Sequence, residues 1–324
     1  MRHGICRLLS VILLCGAIEN RAVGDDNGVG SGRELLANSK KVMFLGDSIT
    51  AAGRYVACFD TWVSLELREK APRFINCGLP SETLSGLSED GHAGGQFPRP
   101  DLFERLDRVL NEVKPDLVIA CYGINCGIYM PFDEARFARY QQGQKKLKET
   151  VEKAGARFVV MTPPFYDDQR SPRNFNYNEV LDRYSAWLMD QRANGWNVID
   201  LHVPMTHYVQ EQRKGDPQFT LQPDGVHPNE AGQWFVARQM IRWAGGEGDS
   251  TARSASEMLA RHGAPENLLS LVQQRMGILR DSYVAAAGHK RPGVAKGLPV
   301  VEANAKADEL SKQIDELIAS IKKE

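Results

Sequence analysis

Ser48 stands in Phe44-Leu45-Gly46-Asp47-Ser48-Ile49-Thr50, and Asp224 and His227 share the segment Gln222-Pro223-Asp224-Gly225-Val226-His227-Pro228-Asn229. A serine hydroxyl is a poor nucleophile until a base takes its proton, so a serine alone means little. Asp47-Ser48 would serve equally well to cap a helix. A carboxylate three residues before a histidine can hold one imidazole nitrogen within a tight turn, leaving the other free to accept a hydroxyl proton. Alone, that segment also reads as an Asp-Gly turn leading into a helix. Asn125, in Tyr122-Gly123-Ile124-Asn125-Cys126-Gly127, carries an amide that can donate to an oxyanion or close an Asx-turn. Together the three segments hold the parts needed for acyl transfer, in the chain order serine, asparagine, aspartate, histidine. The body holds five further histidines, His92, His202, His207, His262 and His289. His92 falls in a glycine-rich stretch, and structural roles are expected for it, His202 and His207.

The chemistry requires elements that bring these segments to one place. Short apolar runs occur at Val42-Met43-Phe44-Leu45, Phe74-Ile75-Asn76-Cys77, Leu117-Val118-Ile119-Ala120-Cys121, Phe158-Val159-Val160-Met161 and Val198-Ile199-Asp200-Leu201. Nearly continuous apolar character suits strands covered on both faces, as in a parallel sheet. Helical patterns fill 57–70, 101–113, 133–154, 175–193 and 229–243. In one of them Phe137, Tyr140, Leu147 and Val151 share a face. Such alternation predicts a doubly wound α/β sheet, whose ligands bind at the carboxyl ends of the strands. The Ser48 and Asn125 segments each lie just past a predicted strand, and the Asp224-His227 segment lies between the last strand and the final helix.

With its Gly46-Asp47-Ser48-Ile49-Thr50, Gly123-x-Asn125 and Asp224-x-x-His227 blocks in order, the chain resembles the SGNH (GDSL-type) hydrolase family over about 41–243. The resemblance implies a flavodoxin-like three-layer α/β/α sandwich with a parallel sheet, no cofactor, and ester hydrolysis through an acyl-enzyme. It implies Ser48 as nucleophile, His227 as acid/base, Asp224 as its orienting partner, and an oxyanion hole from the Ser48 N–H, the Asn125 side chain and a donor in the second block. Two positions depart from the family pattern. Ser81 occupies the place where glycine is usual for that donor, with Gly78 as the other candidate. Cys126 stands where aspartate is common, which keeps open a binding or scaffold protein of the same fold with weakened turnover.

The 324 residues divide into an N-terminal segment 1–24, a hydrolase domain 40–245 and a helical C-terminal extension 255–324. Arg2 and Arg7 followed by the apolar run Leu8–Ile18 read as a secretory signal, too short for the roughly 20 residues a bilayer span needs. Export, with no stable membrane insertion after cleavage, is therefore expected. The 40 basic and 41 acidic side chains nearly cancel, which gives no electrostatic case for nucleic acid. No phosphate-cradling glycine loop follows the first strand, which argues against a nucleotide binder. No cysteine or histidine has zinc spacing, and no metal is expected. Cys77 and Cys121 fall on strands with another strand between them, roughly 9.5 Å apart, beyond the limit of about 7 Å for a disulfide.

Gly245–Ser250 reads as a linker. In the extension, Leu310, Ile314, Leu317, Ile318 and Ile321 form one helical stripe. It is expected to pack on the domain or a neighbouring helix, with a homodimer through this helix as the other option. The stretch from Glu89 to Pro100 is either one wall of the substrate cleft or a plain connector. Export without a long apolar lid favours a glycan or small-molecule ester carrying a small acyl group such as acetyl, over a lipid or thioester.

Overall fold

The computed structural model describes residues 31–321; the expected signal segment 1–24 lies outside them. Five strands, β1 (Lys41–Gly46), β2 (Arg73–Asn76), β3 (Leu117–Cys121), β4 (Arg157–Met161) and β5 (Asn197–Ile199), form one parallel sheet in the order β2-β1-β3-β4-β5. Its register runs Phe44 to Asn76, Gly46 to Cys121 and Cys121 to Met161. All five coincide with the apolar runs to within one or two residues, because strands buried on both faces must be apolar throughout.

The helices are α1 (Gly32–Ala37), α2 (Ser48–Ala52), α3 (Arg54–Leu67), α4 (Leu106–Val113), α5 (Glu134–Lys153), α6 (Asn178–Asp190), α7 (His202–Gly215), α8 (Glu230–Trp243), α9 (Ala255–Arg261), α10 (Asn267–Ala287) and α11 (Val300–Ser320). Right-handed crossovers determine their layers. The step from β1 to β2 runs one way along the sheet and the later steps run the other. This puts α3 on one face and α4, α5 and α6 on the opposite one; α8 packs back on α3. The result is the flavodoxin-like three-layer α/β/α sandwich, with its switch point between β1 and β3.

Three features differ from the sequence expectation. Residues 202–215, outside the predicted helical patterns, form α7. The stretch 101–105 ahead of α4 is a tight turn capped by Asp101, whose carboxylate accepts the Phe103 N–H at 3.0 Å. Gly245–Ser250 is no free linker: Asp249 accepts the Trp62 indole N–H at 2.8 Å, a side chain on Gly246 would collide with that indole, and Ser250 is buried.

The extension is fastened to the sandwich. α10 packs on edge strand β2 and on both α3 and α4, while α11 packs on α10, burying Ile314 and Ile318. Covering β2 in this way shields an edge that would otherwise offer unpaired backbone groups. Arg275 of α10 donates twice at 2.9 Å to the buried carboxylate of Asp60 in α3. The four cysteines of the described residues, Cys58, Cys77, Cys121 and Cys126, are unpaired and buried. β1 separates the strands of Cys77 and Cys121. Burial pushes the thiols of Cys58, Cys77 and Cys126 up to about 12.

Candidate active site

β1 delivers Ser48. Gly46 ends the strand where a Cβ would lie 2.1 Å from the Thr50 hydroxyl and 2.8 Å from the Cys121 carbonyl, so only glycine lets α2 fold back this tightly. Its backbone is not left-handed; close approach is what demands glycine. Asp47 caps α2 by accepting the Ile49 N–H at 2.9 Å, which leaves Ser48 as the first helical residue with its hydroxyl toward solvent. Asp47 is itself buried. Desolvation pushes its carboxyl up to about 6, against the lowering influence of the Ile49 N–H and the charges of His227 and Arg99.

The turn before α8 delivers the other pair. Asn229 caps α8 through the Gly232 N–H at 2.9 Å, and its amide also donates to the Thr220 carbonyl at 3.1 Å, closing the loop that precedes it. Within that loop one Asp224 oxygen accepts the N–H groups of Val226 and His227 at 2.9 and 2.7 Å. The other lies 2.7 Å from His227 Nδ1, and His227 Nε2 lies 2.8 Å from Ser48 Oγ. Partial burial alone would raise the Asp224 carboxyl. The N–H groups of His227 and Val226, with the imidazole, outweigh it and hold the carboxyl below the usual carboxylate range.

The third wall comes from the loops after β2 and β3. Asn76 binds the Thr50 carbonyl and the Gly78 N–H, at 2.6 and 2.9 Å. Gly78 is thus occupied by Asn76, and its place against the backbone of Ala51 leaves no room for a side chain. Ser81 sits at φ +69°, the left-handed region that favours glycine, and lines the same cleft as Ser48 and Asn125. Of the two candidate donors, Ser81 is the one whose residue faces the cleft. The next residue, Glu82, is fully buried and pairs with Arg105 at 2.6 and 2.8 Å; Arg105 also binds the Cys77 carbonyl and Tyr122 donates to Glu82 at 2.5 Å. This ion pair clamps the Ser81 loop to β2 and β3.

Asn125 Nδ2 donates to the Glu82 carbonyl at 3.4 Å, and its Oδ1 accepts the Tyr129 hydroxyl at 3.0 Å. Cys126 lies beneath, completely buried against the backbone of Leu84 and Ser85, where it supports the loop and has no access to the cleft.

Ser48, Ser81, Asn125, Asp224 and His227 thus all border one cleft of about 530 Å³. Several of its residues carried no sequence signal. Tyr129 stacks on Tyr177 at 5.0 Å and is flanked by the guanidinium groups of Arg99 and Arg173 at 5.2 and 4.8 Å from its ring centre. Glu89, His92 and Arg99 come from the glycine-rich stretch, which is therefore a wall of the cleft. His92, expected to be structural, borders it too. Burial and the neighbouring Arg99 hold its imidazole below the ordinary range, and its Nδ1 lies 3.4 Å from Glu89. His202, by contrast, is buried in α7 with Nε2 on Asp182 at 2.8 Å, a structural role. Among the described residues Glu66, Asp249 and His262 come close enough to share a cation, outside this cleft, but Asp249 Oδ2 already binds Trp62 and His262.

A serine hydroxyl in line with an imidazole and a carboxylate, at the carboxyl ends of a flavodoxin-like parallel sheet, is the arrangement of a carboxylic ester hydrolase. The chain belongs to the GDSL-like lipase/acylhydrolase family, whose model matches residues 44–235. No curated protein sequence matches it. Among solved structures it is similar to LAE5, an alpha/beta hydrolase enzyme from the metagenome of Lake Arreo, Spain (21% identity, TM-score 0.50, covering 64% of this chain and 95% of that one). It is also similar to a catalytic mutant of Axe2, an acetylxylan esterase from Geobacillus stearothermophilus (22%, TM-score 0.49, 64% and 95%). A third is a gut microbial diltiazem-metabolizing enzyme (22%, TM-score 0.48, 64% of this chain), of which the chain spans 47%, about half the length.

Proposed function

We propose that the protein is an exported serine esterase that works through an acyl-enzyme and removes small acyl groups, acetyl above all, from carbohydrate. The observation that carries the reading is the unbroken line from Ser48 Oγ through His227 to Asp224, with spacings of 2.8 and 2.7 Å. In this mechanism Ser48 Oγ attacks the ester carbonyl carbon while His227 Nε2 takes its proton. The Ser48 and Ser81 N–H groups and Asn125 Nδ2 donate to the oxyanion as it forms. Collapse breaks the bond to the alcohol oxygen, which leaves with the proton from His227. Water then attacks the acyl-enzyme with the same base, releasing the acid and restoring Ser48. Asp224 holds the imidazole in the tautomer that presents a bare Nε2 to the serine.

The acyl and alcohol preferences are read from the cleft. A long acyl chain requires a continuous apolar channel, whereas the apolar residues of this cleft, Pro80, Ile128, Met130 and Val226, are outnumbered by polar and charged ones. That favours a small acyl group on a polar alcohol. Export rests on the basic start and apolar run of residues 2–18.

Hydrolysis of p-nitrophenyl esters of increasing acyl length, by the chain lacking 1–24 and by its Ser48→Ala variant, tests the reading. Turnover that is lost in the variant and declines beyond acetyl supports it. Preference for long chains overturns the acetyl assignment, and equal rates from the two proteins overturn the role of Ser48. For export, the N-terminus of the protein recovered outside the cytoplasm should begin near residue 24; an intact Met1 there argues against cleavage.

A further inference from the structure

The charges around the cleft are unevenly matched. Of its three arginines, Arg99 grips Glu89 with two contacts of 2.6 Å and holds the Ser81 carbonyl at 3.4 Å, so its charge is matched by a carboxylate. The second carboxylate of the cleft, Asp224, is engaged by His227. Arg173 and Arg291 face the same space, and neither has a carboxylate within ion-pair distance among the described residues. Both are nonetheless held in place. Arg173 donates to the Tyr166 hydroxyl at 2.9 Å and the Tyr129 carbonyl at 3.3 Å and lies across the Tyr129 ring. Arg291 lies over the Phe97 ring at 5.1 Å and donates to the Pro292 carbonyl at 2.5 Å, while its Nε is buried with no acceptor.

Arg291 belongs to the connection between α10 and α11, outside the residues that define the family, 44–235. That connection is built into the site. Arg280 of α10 donates to the Ala51 carbonyl of α2 at 2.8 Å, and a second cleft of about 260 Å³ opening on Ser48 is walled by Val284, Gly293 and Val294. The extension therefore reaches the helix that begins with Ser48.

We propose that the alcohol half of the substrate carries an anionic group, of the carboxylate or sulfate kind found on acidic sugars, and that Arg173 and Arg291 receive it, the latter supplied by the C-terminal extension. The proposal rests on the ester-hydrolase reading and narrows it. Guanidinium groups suit this task because their paired donors match the planar oxygens of a carboxylate and equally bind sulfate. Two of them held by aromatic faces lose little freedom on binding.

The test compares kcat/KM for an O-acetylated oligogalacturonate, an O-acetylated sulfated galactan oligosaccharide and an O-acetylated neutral xylo-oligosaccharide, with p-nitrophenyl acetate as a size-independent control. The wild type should favour at least one acidic substrate over the neutral one by about tenfold or more, and the preference should shrink as salt is raised. Arg173→Gln and Arg291→Gln should each lower the acidic-to-neutral ratio by about tenfold, mainly through KM, with Arg291→Lys partly restoring it. Thermal melting of each variant separates this from misfolding. Which acidic substrate leads identifies the anionic group. Equal, salt-insensitive turnover of acidic and neutral esters overturns the proposal while leaving the esterase reading intact. Failure on every ester, p-nitrophenyl acetate included, takes both down.

Discussion

The hydroxyl of Tyr129 donates to Asn125 Oδ1 at 3.0 Å, and this contact decides which end of the Asn125 amide is free to act on a substrate. With the oxygen tied to Tyr129 and one N–H on the Glu82 carbonyl, the second N–H of Nδ2 is left for an oxyanion. Tyr129→Phe should lower kcat on p-nitrophenyl acetate by about tenfold with little change in KM, since an amide free to rotate donates only part of the time. Asn125→Ala should cost about 10²- to 10³-fold in kcat. If Tyr129→Phe raises KM instead, the tyrosine contacts substrate and does not position Asn125.

Asp224 has two tasks, one for each oxygen. Asp224→Asn keeps an acceptor for the backbone N–H groups of Val226 and His227 but can no longer hold the imidazole in the required tautomer. Its kcat should fall by about 10⁴-fold, less than the roughly 10⁶-fold loss expected of Ser48→Ala, while the melting temperature stays near wild type. The double variant should be little slower than Ser48→Ala alone, because residues acting as a unit do not contribute additively.

The Glu82–Arg105 pair, 0% and 1% exposed, anchors the Ser81 loop. Removing one partner leaves a buried charge unmatched, so Arg105→Met should destabilise the fold by about 3–5 kcal/mol in urea titration. A loss below about 1 kcal/mol would show that the loop is held by its backbone alone.

Asp47 supplies a pH signature. Its folded pKa, about 6, lies above the ordinary 3.8, so between those values the folded chain retains a proton that the unfolded chain has released. Its contribution to stability is present at low pH and is lost as pH rises through about 6, amounting to roughly 3 kcal/mol. Asp47→Asn keeps an acceptor for the Ile49 N–H without the charge. It should be more stable than wild type at pH 7.5, with the difference vanishing toward pH 4. Parallel stability curves for the two proteins would refute this.

What the sequence discloses depends on how far apart the cooperating residues are. Asp224 and His227 share one turn, and Ser48 and Asn125 each follow a short apolar run of the length and character of a buried strand. The 179-residue separation of Ser48 from His227 is closed by the sheet topology, which the strand–helix alternation already implies. Tyr129, Arg173 and Arg291 gave no such signal. Each is a common residue in an irregular stretch, and their convergence depends on loop paths that no local periodicity encodes. Ser81 was visible only as a departure from glycine, and its left-handed backbone explains why glycine is usual there. α7 went unread because Pro204 interrupts its opening turn, yet His202, Met205 and Val209 are buried at spacings of three and four, a helical pattern that was present to be found.

The four buried thiols have a consequence for following the protein's motions. A thiol pushed far up by burial in a dry interior does not react with an alkylating reagent, so each modification event records an opening of the structure around that cysteine. Cys58 sits in α3, Cys77 just past edge strand β2, Cys121 at the end of central β3, and Cys126 under Asn125. The described residues therefore carry four clocks at four depths. Cys126 should run at the pace at which the oxyanion loop breathes, and Cys121 at the pace of global unfolding.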